Sequence, residues 1–186
     1  MNELTVRLRG GGRLAVRPMA AADGPAVIAG FEHLSPAARR LRFLSPTPRL
    51  TPAVAADLTT VDDDHIVLLA FDAAGRVVAG ARATRHRGDP GVADVADVAV
   101  TVGDHLQRRG LGRRLLLLLR DEARRAGIER LTGHVAVDNV AAQRLLIAAR
   151  AIVSLDEPGV LAFDIALGRR TLTPTQAAHR PMARAS

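Results

Sequence analysis

Residues 94–125 constrain this chain more than any other stretch, because a β-rich run, a glycine-bearing basic turn and a leucine-rich helix follow one another without a break. The run DVAVTV ends at Gly103 and Asp104, and Gln107-Arg108-Arg109-Gly110-Leu111-Gly112 opens directly into a helix expected over residues 110–126. Leu111, Leu115, Leu118 and Leu119 fall at i, i+4, i+7 and i+8, one face made to lie on a sheet. Gly127 fits the C-cap. A strand feeding a glycine turn at a helix start suits a pyrophosphate. The first N–H groups of a helix lack intrahelical acceptors, the dipole there favours negative charge, and glycines let the anion approach the backbone. Arg108, Arg109, Arg113 and Arg114 add positive charge around that turn.

The rest of the chain arranges itself around this unit. Residues 1–12 contain Gly10-Gly11-Gly12 and read as a flexible lead-in. Residues 13–17 alternate as a strand and stop at Pro18. A helix over residues 24–34 is expected to use Asp23 as its N-cap, with Pro25 in the first turn. Ser35-Pro36 and Thr51-Pro52 each announce a further short helix. Residues 66–71, 76–85 and 92–102 read as three strands of a meander, with a loop at residues 88–91. Residues 130–137 form the next strand, residues 139–150 a helix, and residues 151–155 and 160–167 a closing pair around Pro158-Gly159. The polar, aperiodic residues 171–186 are expected to be a disordered tail.

Length and composition narrow the class. A chain of 186 residues, 48% hydrophobic, suits one domain with a sizeable core. With no cysteine, there is no disulfide and no thiolate ligand, and the absence of an apolar leader points to a cytoplasmic protein. No apolar run approaches the roughly 20 residues that span a bilayer. The net charge of +7 rests on arginine alone, since the chain has no lysine, and it accompanies a general bias toward Arg and Ala. Only four Phe are available for base stacking, so nucleic acid is not the expected partner. No metal is expected: the acidic and histidine residues at 62–65 read as a helix-to-strand turn.

Neither a Rossmann fingerprint nor a P-loop is present, but Gln107, Gly110 and Gly112 write Q-x-x-G-x-G between a strand and a helix. This resembles the acetyl-CoA-binding motif of the GNAT acyltransferases. The segments LSPAARRLRF, SPTPRLTP and DDDHIVLLA further resemble the opening of the acetyltransferase domain in bacterial protein-lysine acetyltransferases. The resemblance covers roughly residues 13–167, and a domain over 13–170 is expected. It implies an α/β (α+β) GNAT fold, with a mixed, mostly antiparallel central sheet flanked by helices. It also implies acetyl-CoA as co-substrate, its pantetheine arm paired with the backbone of Val100, Thr101 and Val102. The pyrophosphate would meet the amides of Gln107, Arg108, Arg109, Gly110, Leu111 and Gly112, helped by the side chains of Arg108, Arg109 and Arg113. Asn139 matches the asparagine that opens the family's next helix and bonds the pantetheine arm.

Transfer to an amine needs a base, because a lysine of pKa near 10.4 is protonated at neutral pH. In the lysine acetyltransferases a glutamate serves, ten residues before the motif glutamine; here that position holds Asp97, one methylene shorter. Asp94 and His65 are lesser candidates, and His105 and His134 read as surface or packing residues. The backbone N–H of Val100 would steady the oxyanion. Where many members carry a tyrosine as general acid, seven residues after the asparagine, this chain has Leu146, and where Gly-Phe usually follows that helix it has Arg150-Ala151. The acceptor expected is a protein lysine or else a small amine, on a monomer or homodimer. A non-catalytic acyl-CoA-binding module is the reading from another class.

Overall fold

The computed structural model describes residues 1–45, 49–86 and 94–168. Strands β1 (Leu4–Arg7) and β2 (Arg13–Pro18) precede helices α1 (Gly24–Glu32), α2 (Pro36–Phe43) and α3 (Pro52–Leu58). Then come β3 (His65–Phe71), β4 (Val77–His86), β5 (Val95–Val102), α4 (Leu111–Arg125), β6 (Arg130–Ala136), α5 (Val140–Ala148), β7 (Ile152–Glu157) and β8 (Val160–Ala166). The strands form one sheet in the order β1-β2-β3-β4-β5-β6-β8-β7. All neighbours are antiparallel except β5 and β6.

The amphipathic face of α4 organises the core. Leu111, Leu115, Leu118 and Leu119 are all buried, as their spacing predicts, together with Leu116 and Ala123. Facing strands offer small residues, Ala81 and Ala83 on β4 and Ala96 on β5, which let the helix lie close to the sheet. Gly127 takes the left-handed conformation (φ 86°) that closes the helix.

Two expectations are corrected. The lead-in is part of the sheet: β1 pairs with β2 from Leu4 opposite Val16 to Arg7 opposite Arg13, and Val6 and Leu8 are buried. The glycine triplet is the turn of that hairpin, all three residues at positive φ, with Leu8 N–H donating to the Gly12 carbonyl. Asp23 stands at the N-cap position of α1, which ends at Glu32, but its side chain makes no capping bond to the helix. Its carboxylate instead receives both Arg17 guanidinium nitrogens at 2.6 and 2.7 Å and the Ala20 N–H at 2.7 Å. A bidentate arginine outcompetes a helix end for that carboxylate. By contrast Ser35 and Thr51 do cap α2 and α3, accepting from Ala38 and Val54. The expected loop at 88–91, residues 46–48 of the proline-rich linker and the tail lie outside the described residues.

Candidate active site

The parallel pairing of β5 and β6 lasts three residues: Val95, Ala96 and Asp97 stand opposite Arg130, Leu131 and Thr132. Beyond Asp97, β5 stays with β4 through Val102 while β6 continues with β8, so the two strands part and a slot opens. Gly133 sits at the fork. A Cβ there would lie 3.0 Å from the Val98 carbonyl oxygen and 2.8 Å from the Phe163 ring, so no side chain fits.

Hydrogen-bond phase decides which backbone groups the slot receives. Gly103 N–H donates to the Val78 carbonyl at 2.9 Å, and the register carries that phase to Thr101 opposite Gly80. In an antiparallel ladder alternate residues turn their backbone toward the partner strand. Thr101 therefore directs its N–H and C=O at β4, whereas Val98, Val100 and Val102 direct theirs at the slot. Of the three strand residues implicated by sequence, Val100 and Val102 offer backbone groups there and Thr101 does not. Gln107 donates from Nε2 to the Val102 carbonyl at 3.3 Å, which ties the glycine turn to the end of the strand.

The helix start is built as an open set of donors. Gly110, at φ 82°, is the N-cap of α4 and supplies no side chain, unlike the caps of α2, α3 and α5. The N–H groups of Leu111, Gly112 and Arg113 thus begin the helix without acceptors among the described residues. At Gly112 a Cβ would make only ordinary contact, 3.6 Å to Val102. Its small size leaves room above the turn. Arg108, in the left-handed region at φ 59°, and Arg113 project into solvent without a hydrogen-bond or ion-pair partner among the described residues. Arg109 is engaged elsewhere: its guanidinium donates to the carbonyls of Arg9, at 3.0 Å, and Gly11. That bond explains why the β1–β2 hairpin lies against the turn. It also brings in Arg9, whose Nε lies 3.6 Å from where a Gly110 Cβ would be. Sequence reading assigned Arg9 to a lead-in and so passed over it.

A second opening lies on the face of the sheet away from α4. Asp97 on β5, Arg82 and Thr84 on β4, Arg42 and Phe43 on α2 and Asp57 on α3 line a cleft of about 460 Å³. Arg82, only 8% exposed, donates to the Asp57 carbonyl (2.5 Å), its carboxylate (2.9 Å) and Thr84 Oγ1 (3.1 Å). Asp97 keeps its side chain open to the cleft, yet the surrounding protein desolvates it and raises its carboxyl above the usual range. His134, His86 and Arg42, all within electrostatic reach, oppose that rise. His134, which the sequence marks as a surface or packing residue, is exposed. It stands on β6, two residues beyond Asp97's register partner Thr132, and pairs with Asp156 at 3.2 Å.

The remaining candidates serve other ends. Asp94 lies 3.3 Å from Arg85, His65 is held by Asp62 at 2.6 Å, and His105 packs against Gly103 in a short 3-10 turn. Asn139 caps α5, its side-chain oxygen accepting from Ala142 at 3.1 Å, while its amide nitrogen makes no bond among the described residues. Leu146, at the position of the family's tyrosine, is 5% exposed in the core. Arg150 adopts φ 58° in a Schellman turn, with Ala151 N–H bonded to Leu146 and Arg150 N–H to Ile147. Finally, α2 spans the slot. Ser35 at its start bonds Asp104 (2.8 Å), just past β5, and Arg40 bonds Asp138 (2.6 Å), just past β6.

Comparison with known proteins agrees with this geometry. The sequence model of the acetyltransferase (GNAT) family matches residues 32–147. The acetyltransferase Pat of Mycolicibacterium smegmatis is 30% identical over 164 residues, 87% of this chain and 48% of that protein. The chain thus spans about half the length of this curated relative. The GNAT domain of S. lividans PAT superposes with a TM-score of 0.79 at 30% identity, over 88% of this chain and 96% of that one. A cAMP-binding acyltransferase from Mycobacterium smegmatis gives a TM-score of 0.62 at 25% identity, over 95% of this chain and 52% of that one.

Proposed function

The chain belongs to the GNAT acetyltransferase family, and on that premise we propose that it moves the acetyl group of acetyl-CoA onto a lysine side chain of another protein, with Asp97 as general base. N-acetyl transfer and acetyl-CoA as donor follow from the family. The acceptor and the base are our reading. The observation that carries it is the position of Asp97, at the last paired residue before β5 and β6 part, facing the cleft. An amine in the cleft and an acyl group in the slot would meet beside that carboxylate. The raised carboxyl is a stronger base than an ordinary aspartate.

In this mechanism Asp97 takes the ammonium proton, directly or through a water that spans its shorter side chain. The neutral amine then attacks the thioester carbon, and the slot-facing N–H of Val100 donates to the oxyanion. Collapse expels the CoA thiolate, and the proton still held on the new amide nitrogen passes through water to that sulfur, since Leu146 has none to give. Gly110, Leu111, Gly112 and Arg113 would hold the pyrophosphate with Arg108, and Asn139 would use its free amide on the pantetheine arm. A protein acceptor is supported by the similarity to the Pat proteins and by the cleft's charge. Two arginines balance two aspartates there, a poor site for a polycationic small molecule.

Buried Leu146 favours one other reading, an acyl-CoA binder without turnover. Asp97→Asn separates the two. Acetyl-CoA affinity by titration calorimetry should be unchanged, while thiol release with a lysine-bearing acceptor falls by about 100-fold or more. Undiminished turnover would remove Asp97 from the mechanism, and no turnover in the unsubstituted protein would leave the binder.

A further inference from the structure

Arg42 is a charge in the cleft that the chemistry above does not use and that, unlike Arg82 and Asp57, has no bonded partner among the described residues. It lies near the C-terminal end of α2, with its guanidinium 4.9 Å from the centroid of the Phe43 ring. Phe43 in turn packs edge-on against Phe31 at 5.7 Å. The guanidinium is therefore propped on aromatic support and loses little freedom when it binds something. Protein surrounds it closely enough that burial, reinforced by Arg82, depresses its pKa, although an arginine stays charged at neutral pH. It makes no hydrogen bond or ion pair among the described residues. Its two acidic neighbours are spoken for: Asp57 is bonded to Arg82, and Asp97 faces the reacting amine.

A desolvated fork of five donors without an acceptor is unfavourable until an anion completes it, and a carboxylate fits it two bonds at a time. Arg42 also lies within electrostatic reach of Asp97, so the anion it takes sits close to the amine that Asp97 deprotonates. Resting on the acetyltransferase reading, we infer that Arg42 determines acceptor specificity by binding a carboxylate that the acceptor carries beside its reactive amine. On a protein that carboxylate is a Glu or Asp neighbouring the target lysine; on a small acceptor it is that of a free amino acid. Arg82, already satisfied, holds the cleft wall in place and does not compete for it.

The test uses the full chain saturated with CoA and two short peptides, one with its lysine flanked by glutamate and one by glutamine. Titration calorimetry should show the glutamate peptide binding at least about tenfold more tightly, and Arg42→Gln should bring the two affinities together. Arg42→Lys keeps the stem and the charge, guards against a folding defect, and should retain part of the preference. Using the ratio of two peptides removes any effect of Arg42 on Asp97 itself. Free amino acids form the third arm. If they bind in an Arg42-dependent way and the peptides do not, the carboxylate belongs to a small acceptor; the inference stands and the protein-lysine reading falls. Discrimination without any acetyl transfer would likewise overturn only the catalytic reading. Equal binding of both peptides with no Arg42-dependent binding of amino acids, or a preference that survives Arg42→Gln, would overturn the inference.

Discussion

Asp97 can accept a proton only when ionised, and three groups bias that ionisation against the cost of its burial. Burial raises the carboxyl; His134, His86 and Arg42 pull it back. Removing any one of the three should raise it further. We expect kcat/KM to climb with pH as the carboxylate forms, and the acidic limb of that profile to move to higher pH in His134→Gln. A limb that stays in place would mean that the group titrating in the profile is not Asp97. The family resemblance pointed to Asp97, at the position of the lysine acetyltransferases' glutamate, but the sequence could not supply these neighbours. His86, His134 and Arg42 come from three separate elements, and only the folded sheet brings them around one carboxylate.

At the scale of elements, local rules served well where one element decides its own ends. Ser35, Thr51 and Gly127 act at the positions their residue types announce. They failed where a distant partner intervened, as when Arg17 claimed Asp23 and when β2 drew residues 4–7 into the sheet. The Schellman turn after α5 shows a departure from the family pattern with a physical cost. Arg150 stands in the left-handed region, where a side chain costs roughly 1–2 kcal/mol relative to glycine. Arg150→Gly should therefore stabilise the protein by about 1 kcal/mol, a rise of roughly 3 °C in Tm, with the turn's two hydrogen bonds kept. A fall in Tm would mean that the arginine side chain gives more than its backbone loses. The same turn explains why glycine is usual there in the family: the conformation, rather than the cofactor, asks for it.

Across the whole molecule, the Arg17–Asp23 pair fastens β2 to the segment that leads into α1. Asp23 is 9% exposed, and its carboxyl lies below the usual range chiefly because of its bonds to Arg17. A carboxyl depressed by folding stabilises the native state above its unfolded pKa, and that contribution disappears as pH falls through the native value. Asp23→Asn should cost about 1–3 kcal/mol at pH 7 in denaturant unfolding, and the gap from the unsubstituted protein should narrow as pH falls through the lowered native value. A gap independent of pH would assign the loss to packing. Spacing and periodicity made the α4 core, the meander and the glycine turn legible, because each is a contiguous pattern. The cleft was not, since its lining is assembled from β4, β5, α2 and α3, which only the folded chain brings together.

The helix α2 joins these scales. It is moored to Asp104 on one bank of the slot and Asp138 on the other, and its far end carries Arg42 into the cleft. The slot and the cleft thus share one short support. Where one occupant shifts a support that the other also uses, any factor by which the first alters the hold on the second is returned in full by the second. The eight residues of α2 and their cap Ser35 touch both openings, so any such coupling would be read as an acetyl-CoA affinity that changes when the cleft is filled.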